Sequence, residues 1–136
     1  MQFNNKRGYL TIFVGEFEDE NAFEKYIEEF YSDSPETDHL PLNKFAEDIG
    51  IRSYDHDFTE FVFTGTVINW EKELFGFSYG QSYAIDVARV INEIREIRPN
   101  AVFIIFNTDY RPNIIKNNKL GYVGVFKFDE IAKYIQ

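Results

Sequence analysis

Six consecutive apolar residues, Ala101-Val102-Phe103-Ile104-Ile105-Phe106, constrain this chain more than any other stretch. They are the longest apolar run in it, and far short of the roughly 20 residues that a membrane-spanning helix needs. Unbroken apolar character over a strand's length, rich in β-branched and aromatic residues, predicts a central β-strand covered on both faces. A sheet buried on both sides demands a large supply of covering side chains. The 136 residues are 44% hydrophobic and 18% aromatic, with 15 Phe and 9 Tyr, which meets that demand and argues against disorder. A chain of this length buries roughly two-thirds of its extended surface, and residues 1–136 are expected to form a single domain.

Other segments supply the partners. Tyr9 to Val14 reads as an early strand that stops at Gly15. Phe23, Tyr26, Ile27 and Phe30 recur at helical spacing behind an acidic entry, predicting an amphipathic helix from Asp19 to Tyr31. A polar loop, Ser32 to Asp38, leads to a short helix capped by Asn43, burying Phe45 and Ile49 and closing at Gly50. Phe58 to Thr64 predicts a second strand with Phe61 and Phe63 on one face and Phe58 and Val62 on the other, the latter interrupted by Glu60. Trp70, Leu74 and Phe75 suggest a helical turn, with Trp70 serving either as core or as an interface anchor. Ser78 followed by Gln81 matches a capping box for a long helix running to Pro99. Val123 to Phe128 reads as a fourth strand, Asp129 as the cap of a last helix carrying Ile131, Tyr134 and Ile135, and Asn107 to Gly121 as a polar connection resembling an extended hairpin tip. The expected class is α+β: a mixed sheet of about four strands packed with helices.

The net charge is −9, and it is unevenly placed. Between Glu16 and Glu60 fifteen acids face three bases, a balance of −12, while the remainder carries +3. Regional charge of one sign predicts an acidic face. Such a face disfavours direct binding of nucleic acid, whose phosphates need clustered cations, and suits a basic protein partner. The absence of cysteine excludes disulfides, thiolate metal sites and cysteine nucleophiles, and fits a reducing, cytoplasmic setting. The first residues carry charge without a following apolar stretch, so neither a signal peptide nor a membrane association is expected.

The densest titratable cluster is Tyr54-Asp55-His56-Asp57-Phe58 with Glu60. In an extended segment Asp55 and Asp57 would share a face about 6 to 7 Å apart, with His56 opposite. Three readings are open: a carboxylate- or metal-dependent hydrolase centred on Asp55, His56 and Asp57, a structural hydrogen-bonding cluster, or a partner-binding cluster. No phosphate loop or nucleophile motif accompanies it, Ser78 is better explained as a cap, and His39 reads as merely exposed.

Ile12 to Phe17, the acidic helix entry with Tyr26-Ile27-Glu28, the segment Ile51 to Phe58 with Glu60, and Ser78-Tyr79 together resemble the immunity protein 22 family, over about Tyr9 to Ala101. The resemblance implies a non-enzymatic bacterial antidote, needing no cofactor, that binds a cognate polymorphic toxin inside the producing cell. Such toxins are frequently nucleases with basic active sites, which agrees with the charge asymmetry. The family's characteristic segment carries over Asp55, Asp57 and Glu60, and with Tyr54, Glu16 and Glu18 these are the expected partner-binding residues. No metal ligand, cofactor site or oligomeric state is implied.

Overall fold

In a computed structural model the chain describes residues 2–31, 40–67, 69–111 and 119–130. Four strands, β1 (Gln2–Gly15), β2 (Thr59–Phe63), β3 (Ala101–Arg111) and β4 (Gly121–Lys127), form one sheet in the order β2-β3-β1-β4. Helices α1 (Glu20–Ile27) and α2 (Lys44–Ile49) cover one face, and α3 (Trp70–Phe75) and α4 (Ala84–Asn92) the other. The apolar run is the centre of this arrangement. Val102, Ile104 and Phe106 pack with Trp70, Leu74, Val87 and Ile91, while the alternate Ala101, Phe103 and Ile105 pack with Phe23, Tyr26, Phe45 and Ile49. Trp70, 7% exposed, belongs to this core.

The α+β class and the four strands are as expected, and all three pairings are antiparallel rather than mixed. The reason lies in the connections. A single crossover helix would return the chain to the far end of the sheet, whereas α3 and α4 together bring it back to the end it left. Thr64 accordingly donates to Asn100 O through both its N–H (2.7 Å) and its Oγ1 (2.8 Å), and Phe63 lies opposite Ala101. At the same end Asn100 binds both Phe17 N–H and Phe17 O through its side chain, each at 2.8 Å. Gly15 is needed there because a Cβ would stand 2.1 Å from Lys119 O.

Several boundaries move for identifiable reasons. β1 begins at Gln2, well before Tyr9, because its polar first half pairs with Thr108 to Arg111 of β3. The register shifts where Gly8 (φ 87°) meets Asn107 (φ 59°), whose Oδ1 accepts from Gly8 N–H. Helix α1 stops at Ile27, not Tyr31: Asn43 Nδ2 captures Ile27 O at 2.9 Å and Phe30 N–H donates to Leu42 O. Asn43 caps α2 through Ala46 N–H, and Gly50 closes it in the left-handed region, both as predicted. The expected helix from Ser78 to Pro99 is corrected to α4 alone, preceded by a 3-10 turn at Gly80–Ser82. Ser78 caps nothing, since its N–H is turned toward Glu60, and Tyr79 adopts φ 61° to redirect the chain. The hairpin expected after Asn107 is corrected too: β1 lies between β3 and β4. The polar loop at 32–38, His39, Lys116 and the last helix after Asp129 fall outside the described residues.

Candidate partner-binding surface

Strand β2 is one margin of the sheet, and its side chains divide as the sequence predicts. Phe61 turns toward α1, stacked on its cross-strand partner Phe103 (centroids 5.4 Å apart, planes 5° apart) and meeting Phe23 edge-on at 6.1 Å. Glu60 turns toward the α3 side, where its Oε1 accepts from Ser78 N–H at 2.9 Å. Among the described residues no helix fully covers this margin: Phe61 is 40% and Val62 37% exposed, and Phe58 just before the strand is 45% exposed. Sequence reasoning identified these apolar residues but could not see that they lie at the sheet's margin.

The segment entering β2 is not extended. Asp55 caps a 3-10 turn, His56–Phe58, by accepting from Asp57 N–H at 2.9 Å, and Thr59 Oγ1 donates to His56 O at 2.8 Å. The expected alternation, with Asp55 and Asp57 paired on one face of an extended segment and His56 opposite, is therefore corrected to a 3-10 turn capped by Asp55. Among the described residues no group of three His, Asp or Glu could hold a metal ion. Both carboxylates are exposed.

His56 instead reaches across to Glu29, with Nδ1 2.7 Å from Oε2. Tyr31 O–H donates to the other oxygen of the same carboxylate. Glu29 is thus held by two side chains from either side, a link between α1's exit and the β2 entry that no local sequence pattern announced. The Glu29 hydrogen bond and charge raise the His56 pKa above its ordinary 6.5, helped by Asp57 and Asp55 against the opposing effect of desolvation. A group whose folded pKa is raised stabilises fully below its unfolded value and loses that contribution as pH rises through the folded one. Accordingly, NMR titration of His56 should give a midpoint above 6.5 that returns toward 6.5 in Glu29→Gln, and His56→Ala should flatten stability across this window.

The six expected partner residues do not converge on one spot. Asp55 and Asp57 precede β2, Glu60 lies within it, and exposed Glu16 and Glu18 stand beyond its other end, about 13 Å along the strand from Thr59. Glu16 Oε1 accepts from Arg98 N–H at 3.2 Å. Tyr54 is buried beneath them, 8% exposed, its ring stacked on Phe103 at 5.4 Å and its hydroxyl accepting from Asn43 Nδ2 at 2.7 Å. Burial pushes its pKa well up, so it stays a neutral structural phenol. Two adjoining clefts of about 670 and 710 Å³ share Tyr31 and His56 as their common wall, the second also bounded by Phe61, Glu24 and Glu28. The arrangement is an apolar margin bordered by carboxylates.

Comparison with known proteins agrees with the sequence resemblance and extends it. The match to immunity protein 22 runs over residues 10–129, including β4 and the stretch after Asn107 that the quoted motifs left out. No curated protein and no solved structure matches the chain. Among the described residues no helix is long and apolar enough to cross a membrane. The family description supports a toxin-neutralising role through binding of a cognate toxin, and suggests an inhibitor rather than an enzyme. On a match that spans nearly its whole length, this chain belongs to the immunity protein 22 family.

Proposed function

We propose that this protein neutralises its toxin in the cytoplasm by docking it along the β2 margin, with the acidic residues around that margin selecting a basic surface such as a nuclease active site. The observation that carries this reading is the exposure of Phe58, Phe61 and Val62 on one short stretch flanked by Asp55, Asp57 and Glu60. Exposed aromatic and aliphatic side chains inside a polar rim are the usual anatomy of a recognition surface. The carboxylates contribute mainly to the speed and selectivity of encounter, because rim charges are screened by salt. Tyr54 serves from below by holding the segment in place, and Glu16 and Glu18 extend the acidic border.

The test is association with the toxin encoded beside this chain. A complex should form, with an association rate that falls steeply as salt is raised. The triple variant Asp55→Asn, Asp57→Asn, Glu60→Gln should slow association about tenfold at low salt, since charge steering accounts for one to three decades of rate. Its melting temperature should stay close to that of the parent, because Asn and Gln keep the acceptor oxygens used by Asp57 N–H and Ser78 N–H. Failure of the purified pair to associate at low salt overturns the reading.

A further inference from the structure

The two margins of the sheet are built differently. β4 shifts register against β1 between Ile12 and Phe13, contains Gly121 and Gly124, and ends on exposed Lys127. Bulges and exposed lysines are among the devices by which proteins keep a sheet edge from pairing with another chain. β2 has neither; its one charge, Glu60, is held by Ser78 N–H on the α3 side. Its five residues pair with β3 in unbroken register from Thr59 opposite Ile105 to Phe63 opposite Ala101. Among the described residues no strand lies on its outer side. A regular edge leaves outward-facing backbone N–H and C=O groups available in register.

From this contrast we infer that β2 receives an extended strand of the partner, which continues the sheet by backbone hydrogen bonding. The inference rests on the toxin-docking reading and specifies its mode. The added strand would cover about 16 Å, five residues at the strand repeat. Its side chains alternate between two faces. On the α1 side they meet the cleft of about 710 Å³ that holds the exposed part of Phe61 with Glu24 and Glu28. On the α3 side they meet Phe58, Val62, Asp57 and Glu60. Each face pairs an apolar floor with carboxylates; in the α1-side cleft Glu24, Glu28 and Glu29 face two bases, Lys25 and the Glu29-bound His56. A Lys or Arg fits this combination, laying its methylene stem on the aromatic ring and its cationic head among the carboxylates. The occupant is therefore a basic strand of the toxin. A second copy of this chain would bring its own acidic border against the same carboxylates.

Amide-resolved hydrogen exchange of the full chain, alone and with the toxin encoded beside it in catalytically inactivated form, tests the inference. In the complex the outward-facing amides between Thr59 and Phe63 should slow at least about a hundredfold, as expected for edge amides taken into a stable ladder, while Gly121 to Lys127 stay as in the free protein. A complex that leaves the β2 amides at their free rates overturns strand addition and leaves toxin docking standing. Absence of a complex removes both. Protection of the β2 amides in the isolated protein, accompanied by dimerisation in ultracentrifugation, assigns the edge to a second copy and overturns the choice of occupant.

Discussion

Replacing Phe103 by alanine should lower the unfolding free energy by about 3–5 kcal/mol, the range for truncating a fully buried aromatic side chain. Phe103 has no exposure, and its ring lies nearly parallel to those of Tyr54 and Phe61, each with centroids 5.4 Å away. Phe45 meets it at a tilt, with centroids 4.8 Å apart. Truncation removes the transfer free energy of the ring, opens a cavity and breaks contacts that add roughly 0.5–1.5 kcal/mol per aromatic pair. Against a typical total of about 5–15 kcal/mol, the loss is a large fraction of stability. Urea unfolding should show a lower midpoint with an unchanged slope. Phe103→Leu should fall between the two, keeping much of the buried apolar volume while losing the stacking. Because Phe61 leans on Phe103, the alanine variant should also raise hydrogen exchange in β2 beyond what the global loss accounts for.

The second large effect should come from Asn43→Ala, at about 2–4 kcal/mol. This side chain is 3% exposed and makes three hydrogen bonds, accepting from Ala46 N–H and donating to Ile27 O and Tyr54 Oη. Loss of a helix cap costs about 1 kcal/mol, and a buried acceptor left without its donor costs about 1–3 kcal/mol more. Asn43→Asp separates these contributions. Aspartate keeps the cap acceptor but, when ionised, donates to neither Ile27 O nor Tyr54 Oη, so it should fail to restore stability. Thermal unfolding checks both variants, and an aspartate variant as stable as the parent would show that the cap alone matters. Since Asn43 ties the end of α1, the start of α2 and the Tyr54 segment together, its loss should also weaken toxin binding by loosening the entry to β2.

Residue chemistry was a good guide wherever the cause of a structure lay within a few residues. Asn43 and Gly50 punctuate α2 as predicted because a cap and a left-handed terminus are local backbone problems. Asp19, read from the sequence only as an acid at the helix start, turns out to cap α1 by accepting from Ala22 N–H at 2.8 Å. The same reasoning failed at Ser78, where a plausible capping box is overridden by Glu60, 18 positions earlier in the chain. It failed at Asp55 and Asp57, where an Asx-type hydrogen bond bends a segment that alternation would have kept straight. It could not foresee Glu29 meeting His56, because 27 positions separate them and only the docking of α1 beside β2 brings them together.

By itself the sequence determined the α+β class, the doubly covered central strand, the faces of β2, the caps of α2 and the regional excess of acid. Each follows from hydrophobic periodicity, backbone preference or composition, which act at short range. Tertiary structure alone decided the strand order, the antiparallel sense of every pairing, and the distribution of the acids along an edge rather than in a single cluster. Those depend on which segments meet across the sheet, and the free energy of such meetings belongs to pairs of residues far apart in the chain. The exposure of Phe61 and Val62 is the plainest case: their apolar character is written in the sequence, but only the placement of β2 at the margin left it open to solvent.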